Sequence, residues 1–159
     1  MPANTAPIFT LTPNVASVKI ATTSAVAQND GASTGATTNL LYQVLKAGAN
    51  GSFVQKVRFN PVASAANVTS VATVLRVYIS TVNTGGANAA VGATTNANTF
   101  LIAEISVPAI AAANSTNAAT YFDVTLNFPL ASGQYILVGQ HVAQTTNQQW
   151  QATAIGGDY

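Results

Sequence analysis

Charge is nearly missing from this chain. Of its 159 residues, five are Lys or Arg and four are Asp or Glu, whereas soluble domains are ordinarily about one-quarter charged. Acid–base catalysis, metal binding and nucleic-acid binding all draw on clustered ionisable groups, and here such groups are few and scattered. Cysteine is absent, so no disulfide staples the fold and no thiolate serves as nucleophile or ligand. That fits a reducing compartment. The opening residues, MPANTAPIFTLTP, carry neither the basic nor the apolar region of a signal peptide. No apolar run approaches the ~18 residues that span a bilayer. A formal net charge of +1 gives no strong pull toward DNA or anionic lipid. The expectation is a soluble, cytoplasmically made protein without nucleic-acid, membrane or cofactor partners. Proteins so close to neutrality tend to self-associate, so much of this surface is expected to be covered by partners.

What remains is rich in Ala, Thr, Asn and Val, without a sustained 3.6-residue apolar stripe. Strand patterns are plentiful. Residues 121–128 (YFDVTLNF) alternate cleanly, with Phe122, Val124, Leu126 and Phe128 on one face and Tyr121, Asp123, Thr125 and Asn127 on the other. Residues 71–79 (VATVLRVYI) place Val71, Leu75, Val77 and Ile79 opposite Arg76 and Tyr78. Six further segments read as strands: 15–22, 39–46, 52–59, 99–107, 134–143 and 148–155. In 52–59, Phe53, Val57 and Phe59 share a face and Lys56 and Arg58 the other. The Asn50-Gly51 pair between two of these segments suggests a tight hairpin turn. Pro61, Pro108 and Pro129 each follow a strand candidate, where a missing N–H does no harm.

The connections 28–38, 81–98 and 108–118 are long, small-residue and polar. Residues 1–14, interrupted by Pro2, Pro7 and Pro13, read as an extended arm, leaving 15–159 as a single domain. About eight strands with irregular loops imply an all-β, antiparallel, jelly-roll-like β-sandwich. A β-solenoid is disfavoured, because the Ala-Thr-Thr triplets at 21, 36 and 93 follow no fixed period.

One series of segments resembles something known. The Gly48-Ala49-Asn50-Gly51-Ser52 turn leads into a strand ending Val57-Arg58-Phe59-Asn60-Pro61. Then come Val71 to Val77, Leu101 to Ile105, and a terminal stretch from Trp150 that closes on Gly156-Gly157-Asp158-Tyr159. The series, over roughly 39–159, resembles the small β-sandwich virion proteins of tailed bacteriophages and prophages, and its motifs are structural. The resemblance implies a non-enzymatic capsid decoration (cement) protein on the virion surface. Its partners would be the major capsid protein and further copies of itself, as a trimer. Contacts are expected from the arm and the loops 81–98 and 108–118, with Phe9, Leu11, Arg58, Arg76, Trp150 and Tyr159 as interface residues. The rival reading is a fibre or tail-tip adhesin, or a carbohydrate-binding module, with Trp150 and exposed tyrosines stacking on sugars. An ice-binding surface would need regular threonine arrays, which are missing.

The residues with chemical potential read mostly as structural. His141 is the only histidine, and a strand histidine making one hydrogen bond is the simplest account. Asp30 and Asp158 read as solvated turn residues. Glu104 and Asp123 sit in strands and are candidates to pair with Arg58 or Arg76 across a sheet or subunit boundary. The sequons at Asn67 and Asn114 have no secretory context, and no helix follows Gly156-Gly157 to make a phosphate site.

Overall fold

The structure is a computed structural model in which residues 10–26, 29–34, 39–65, 68–82, 90–110 and 120–159 are described. These residues form no helix and eight strands: β1 (Thr12–Ile20), β2 (Tyr42–Lys46), β3 (Ser52–Ala63), β4 (Thr73–Ser80), β5 (Thr99–Val107), β6 (Phe122–Leu130), β7 (Tyr135–Gln140) and β8 (Gln148–Asp158). Every expected strand is present, and β5 has the expected bounds. The protein is an all-β sandwich of two four-stranded antiparallel sheets, ordered β1-β8-β3-β6 and β2-β7-β4-β5.

The pairing follows one rule. β1 pairs with β8, β2 with β7, β3 with β6 and β4 with β5. The chain therefore behaves as one long hairpin whose successive strand pairs fall alternately into the two sheets. Only the β4–β5 connection stays within a sheet.

Period-two alternation builds the layer between the sheets. Val18 and Ile20 point inward from β1, Val57 and Phe59 from β3, Leu75 and Val77 from β4, Val124 from β6, and Trp150, Ala152 and Ala154 from β8. Trp150 is fully buried and meets Phe122 edge-on, with ring centroids 6.0 Å apart.

Four local readings are corrected. Residues 12–14, expected in the arm, pair with 156–158 of β8 as part of β1. Pro13 is tolerated there because β1 is an edge strand. The Asn50-Gly51 turn is tight, with Gly51 N donating to Gly48 O at 3.0 Å and Gly51 at φ +92°. It carries the chain from one sheet to the other and forms no hairpin. Pro61 and Pro129 lie inside β3 and β6, paired with Trp150 and Phe53. Finally, Val54 takes the core position expected of Phe53. A bulge at Gln55 causes this, because the register to both neighbours shifts between Val54 and Lys56. One extra residue reverses the alternation before it. Across the bulge, Asn127 of β6 adopts φ +53°, a left-handed conformation that asparagine tolerates better than most side chains.

Candidate docking face

The outer faces of the two sheets are built differently. Outside β2-β7-β4-β5, the chain covers itself. Val26, Leu41 and Val91, all outside the strands, pack with Tyr78 and Leu137 into a second, smaller apolar cluster. Hydrogen bonds pin the cover down. Gln140 Nε2 donates to Ser24 O at 2.7 Å and Ala21 O at 3.2 Å, and Val26 N donates to Gln140 O at 2.8 Å. Val91 N donates to Leu41 O at 2.7 Å, and Ser33 bridges Thr94.

Arg76 belongs to this covered region. Its Nη1 donates to Val26 O at 2.7 Å, and its Nε donates to Glu104 Oε2 at 3.3 Å across the β4–β5 pair. Burial pushes the neighbouring Tyr78 phenol up to about 12, against a smaller opposing effect of the Arg76 charge.

The outer face of β1-β8-β3-β6 shows the opposite construction. Its outward side chains form rows across the strands, set by the register. One row runs Val15, Ile155, Lys56, Thr125; the next runs Ser17, Thr153, Arg58, Asp123; a third runs Lys19, Gln151, Asn60. Ser17 and Thr153 hydroxyls are hydrogen-bonded at 2.8 Å. Hydroxyls and amides alternate on the face with the aliphatic Val15 and Ile155 and with Lys19, Lys56, Arg58 and Asp123.

At one side of this face stands its charged cluster. Arg58 grips Asp123 with two bonds, Nε to Oδ1 at 2.7 Å and Nη2 to Oδ2 at 2.9 Å, and Lys56 Nζ adds a third to Oδ2 at 2.8 Å. The Tyr121 ring lies 3.9 Å from Arg58 Cζ, a cation–π distance. The Arg58 guanidinium, with Lys56 assisting, holds the Asp123 carboxyl well below the usual carboxylate range. Asp123 in turn raises the Arg58 pKa. The expected carboxylate–arginine pairs therefore form as Asp123–Arg58 and Glu104–Arg76, both between neighbouring strands of one sheet.

The six expected interface residues part company. Arg58 lies on the open face. Leu11 is 69% exposed, with its N–H donating to Asp158 O at 2.7 Å. Tyr159 is half-buried beside the 48–51 turn, its N–H donating to Gly51 O and its carbonyl accepting from Asn50 Nδ2. Phe9 lies outside the described residues. Trp150 and Arg76 are corrected: the first fills the core and the second lies under the chain's own cover, so neither offers a contact surface. Of the expected contact loops, residues 90–98 belong to that cover region. Residues 83–89 and 111–119, with residues 1–9 of the arm, lie outside the described residues.

Other single residues settle into structural roles. His141 Nδ1 lies 3.4 Å from Val26 O. Asp30 accepts from Ala32 N in a local turn, as a solvated turn residue would. Asp158 departs from that reading: it ends β8, and its Oδ1 accepts from both Ser52 Oγ and Asn14 Nδ2. The terminal Gly-Gly-Asp-Tyr motif thus ties strand ends together. A Cβ on Gly156 would lie 2.2 Å from Phe53 O, so only glycine lets β8 approach β3 opposite the bulge.

Among the described residues there is no group of three or more His, Asp or Glu side chains able to hold a metal ion, and no helix is long and apolar enough to cross a membrane. No family model, curated protein or solved structure matches the chain.

Proposed function

We propose that this protein is a non-enzymatic structural component of a bacteriophage virion, a decoration protein that attaches to the outer capsid shell and to further copies of itself. The observation that carries the reading is the open face of β1-β8-β3-β6: outward rows of hydroxyls, amides and four charged side chains, with a fixed Arg58–Asp123–Tyr121 cluster at one side. A surface wetted by ordered hydroxyls and amides loses little when a protein partner replaces its water, provided the hydrogen bonds are remade. Arginine and tyrosine are the side chains that most often anchor such contacts. Many weakly held copies, repeated across a shell, add up to firm retention through multivalency. The choice of the major capsid protein as partner comes from the resemblance of the turn, strand and terminal segments to phage sandwich proteins.

The test is cosedimentation of the purified protein with capsid shells that lack it, together with the melting temperature of those shells. Saturable binding at a fixed copy ratio and a raised melting temperature are expected. Shells that neither bind the protein nor gain heat resistance would contradict the reading. Light scattering of the free protein tests the expected trimer, and a mass that stays monomeric at every concentration would remove preassembly.

The glycan-binding alternative loses its principal residue, because Trp150 has no exposed face. It now rests on Tyr121, which is 54% exposed. It predicts glycan-array binding that disappears in Tyr121→Ala.

A further inference from the structure

The few charges of this chain are unevenly shared between its surfaces. The open face of β1-β8-β3-β6 carries Lys19, Lys56 and Arg58 against the single carboxylate of Asp123. The rest of the molecule carries Lys46 and Arg76 against Asp30, Glu104 and Asp158. A nearly neutral protein thus presents one cationic face. The direction of each side chain follows from the core. Lys19 lies between Val18 and Ile20, and Arg58 between Val57 and Phe59, all four of them buried inward. Lys19 stands exposed on β1, three strands away from Asp123.

We infer that this face docks on a protein surface bearing carboxylates. The inference names the partner's chemistry within the decoration reading and rests on that reading only for the identity of the shell. The first reason is charge complementarity. Lys19 is not engaged by any carboxylate of the face, and the Lys56–Arg58 pair retains one positive charge after Asp123 is counted. The second is preorganisation. Arg58 is held by two bonds to Asp123 and by the Tyr121 ring, so little side-chain freedom remains to be lost when it is covered. The third is the setting. Rows of Ser17, Thr153, Gln151 and Asn60 between the cations offer donors and acceptors suited to a protein surface. A nucleic-acid track would need more cations and interleaved exposed aromatics. The opposite sheet offers less open surface, since the chain itself covers its outer side at β7 and β4.

The experiment uses the full-length protein and a poly-L-glutamate-coated sensor at low ionic strength, with single-stranded DNA as a second probe. Lys19→Gln and Lys46→Gln leave the same net charge but differ in which face loses it. The wild type should bind poly-L-glutamate and weaken as salt is raised. Lys19→Gln should weaken binding roughly two- to fivefold, the range of one exposed charge contact. Lys19→Gln/Lys56→Gln should lose about tenfold on the same basis, while Lys46→Gln stays near wild type. Circular dichroism confirms that each variant is folded.

Equal losses from Lys19→Gln and Lys46→Gln would overturn the inference, as would absence of wild-type binding or tighter binding to single-stranded DNA than to poly-L-glutamate. The decoration reading fails separately. Position-specific binding to poly-L-glutamate, with no binding to shells, would keep the cationic docking face and remove the capsid.

Discussion

The two sheets of this sandwich share one core yet treat their outer faces in opposite ways. Against β2-β7-β4-β5 the chain folds back and builds a second apolar cluster, sealing Tyr78 and Leu137 and burying Arg76. Against β1-β8-β3-β6 it leaves amides, hydroxyls and cations open. The cause lies in the strands themselves. Ile136, Leu137 and Val138 of β7 form a continuous apolar run, buried on both sides, and a strand apolar on both faces must be covered on both. By contrast, β8 alternates strictly through Trp150, Ala152 and Ala154, with Gln149, Gln151 and Thr153 between them. It needs cover on one side only. One outer face is therefore committed to stability and the other is free for contact.

Truncations should separate the faces most strongly. Leu137→Ala, in the covered cluster, is expected to cost about 2–5 kcal/mol through lost burial and a residual cavity. Thr153→Ala, on the open face, should cost no more than about 1 kcal/mol. The buried indole of Trp150 gives a fluorescence signal for denaturant midpoints in both variants. Equal losses would erase the distinction between the faces.

The next effect concerns the cover's attachment. Gln140→Ala removes the amide that holds Ser24 O and Ala21 O and should cost about 1–3 kcal/mol. Hydrogen exchange should accelerate in residues 21–26 and 39–41 while the amides of β1 and β8 stay protected. Uniform acceleration would mean that the cover and the sandwich open together.

Acid and base should then attack opposite faces. The Asp123 carboxyl is held low by Arg58 and Lys56, so its stabilising contribution is complete above the ordinary carboxylate range, near pH 4. It is lost as pH falls below that range toward the depressed folded value. Asp123→Asn should remove this acid-dependent component from the stability profile. The Tyr78 phenol is pushed up to about 12 by burial, so the folded state resists an ionisation that the unfolded chain undergoes near pH 10. Stability should fall as pH rises from about 10 to 12, and Tyr78→Phe should lessen that fall. Unchanged profiles in the two variants would contradict the respective assignments.

The smallest effect belongs to the hydroxyl ladder. Ser17→Ala removes a half-exposed bond to Thr153 and should shift stability by less than about 1 kcal/mol, read as a small displacement of the denaturant midpoint.

The strands were legible because alternation signals a half-buried sheet, and β6 and residues 148–155 of β8 show it clearly. The cover was not legible. Tyr78 and Arg76 read as an outward face in period-two terms, and only distant residues such as Val26 and Val91 reveal that this face is enclosed. The exchange of Val54 for Phe53 was hidden for a related reason, since a bulge at Gln55 leaves no periodic mark of its own. Pairing of Asp123 and Glu104 with arginines could be anticipated from their scarcity. Which partner each takes depends on strand order, and local pattern does not encode strand order. Trp150 is ambiguous by composition, because a lone tryptophan suits a core as well as a contact surface. Its place between Gln149 and Gln151 on an alternating strand was the signal that it points inward.

The most direct test of the open face as the docking surface is covalent acylation of the three lysines, Lys19, Lys46 and Lys56, in the free and shell-bound protein. Lys19 and Lys56 should be protected on binding while Lys46 reacts as before; protection of Lys46 with Lys19 and Lys56 unchanged would place the contact elsewhere and contradict the account.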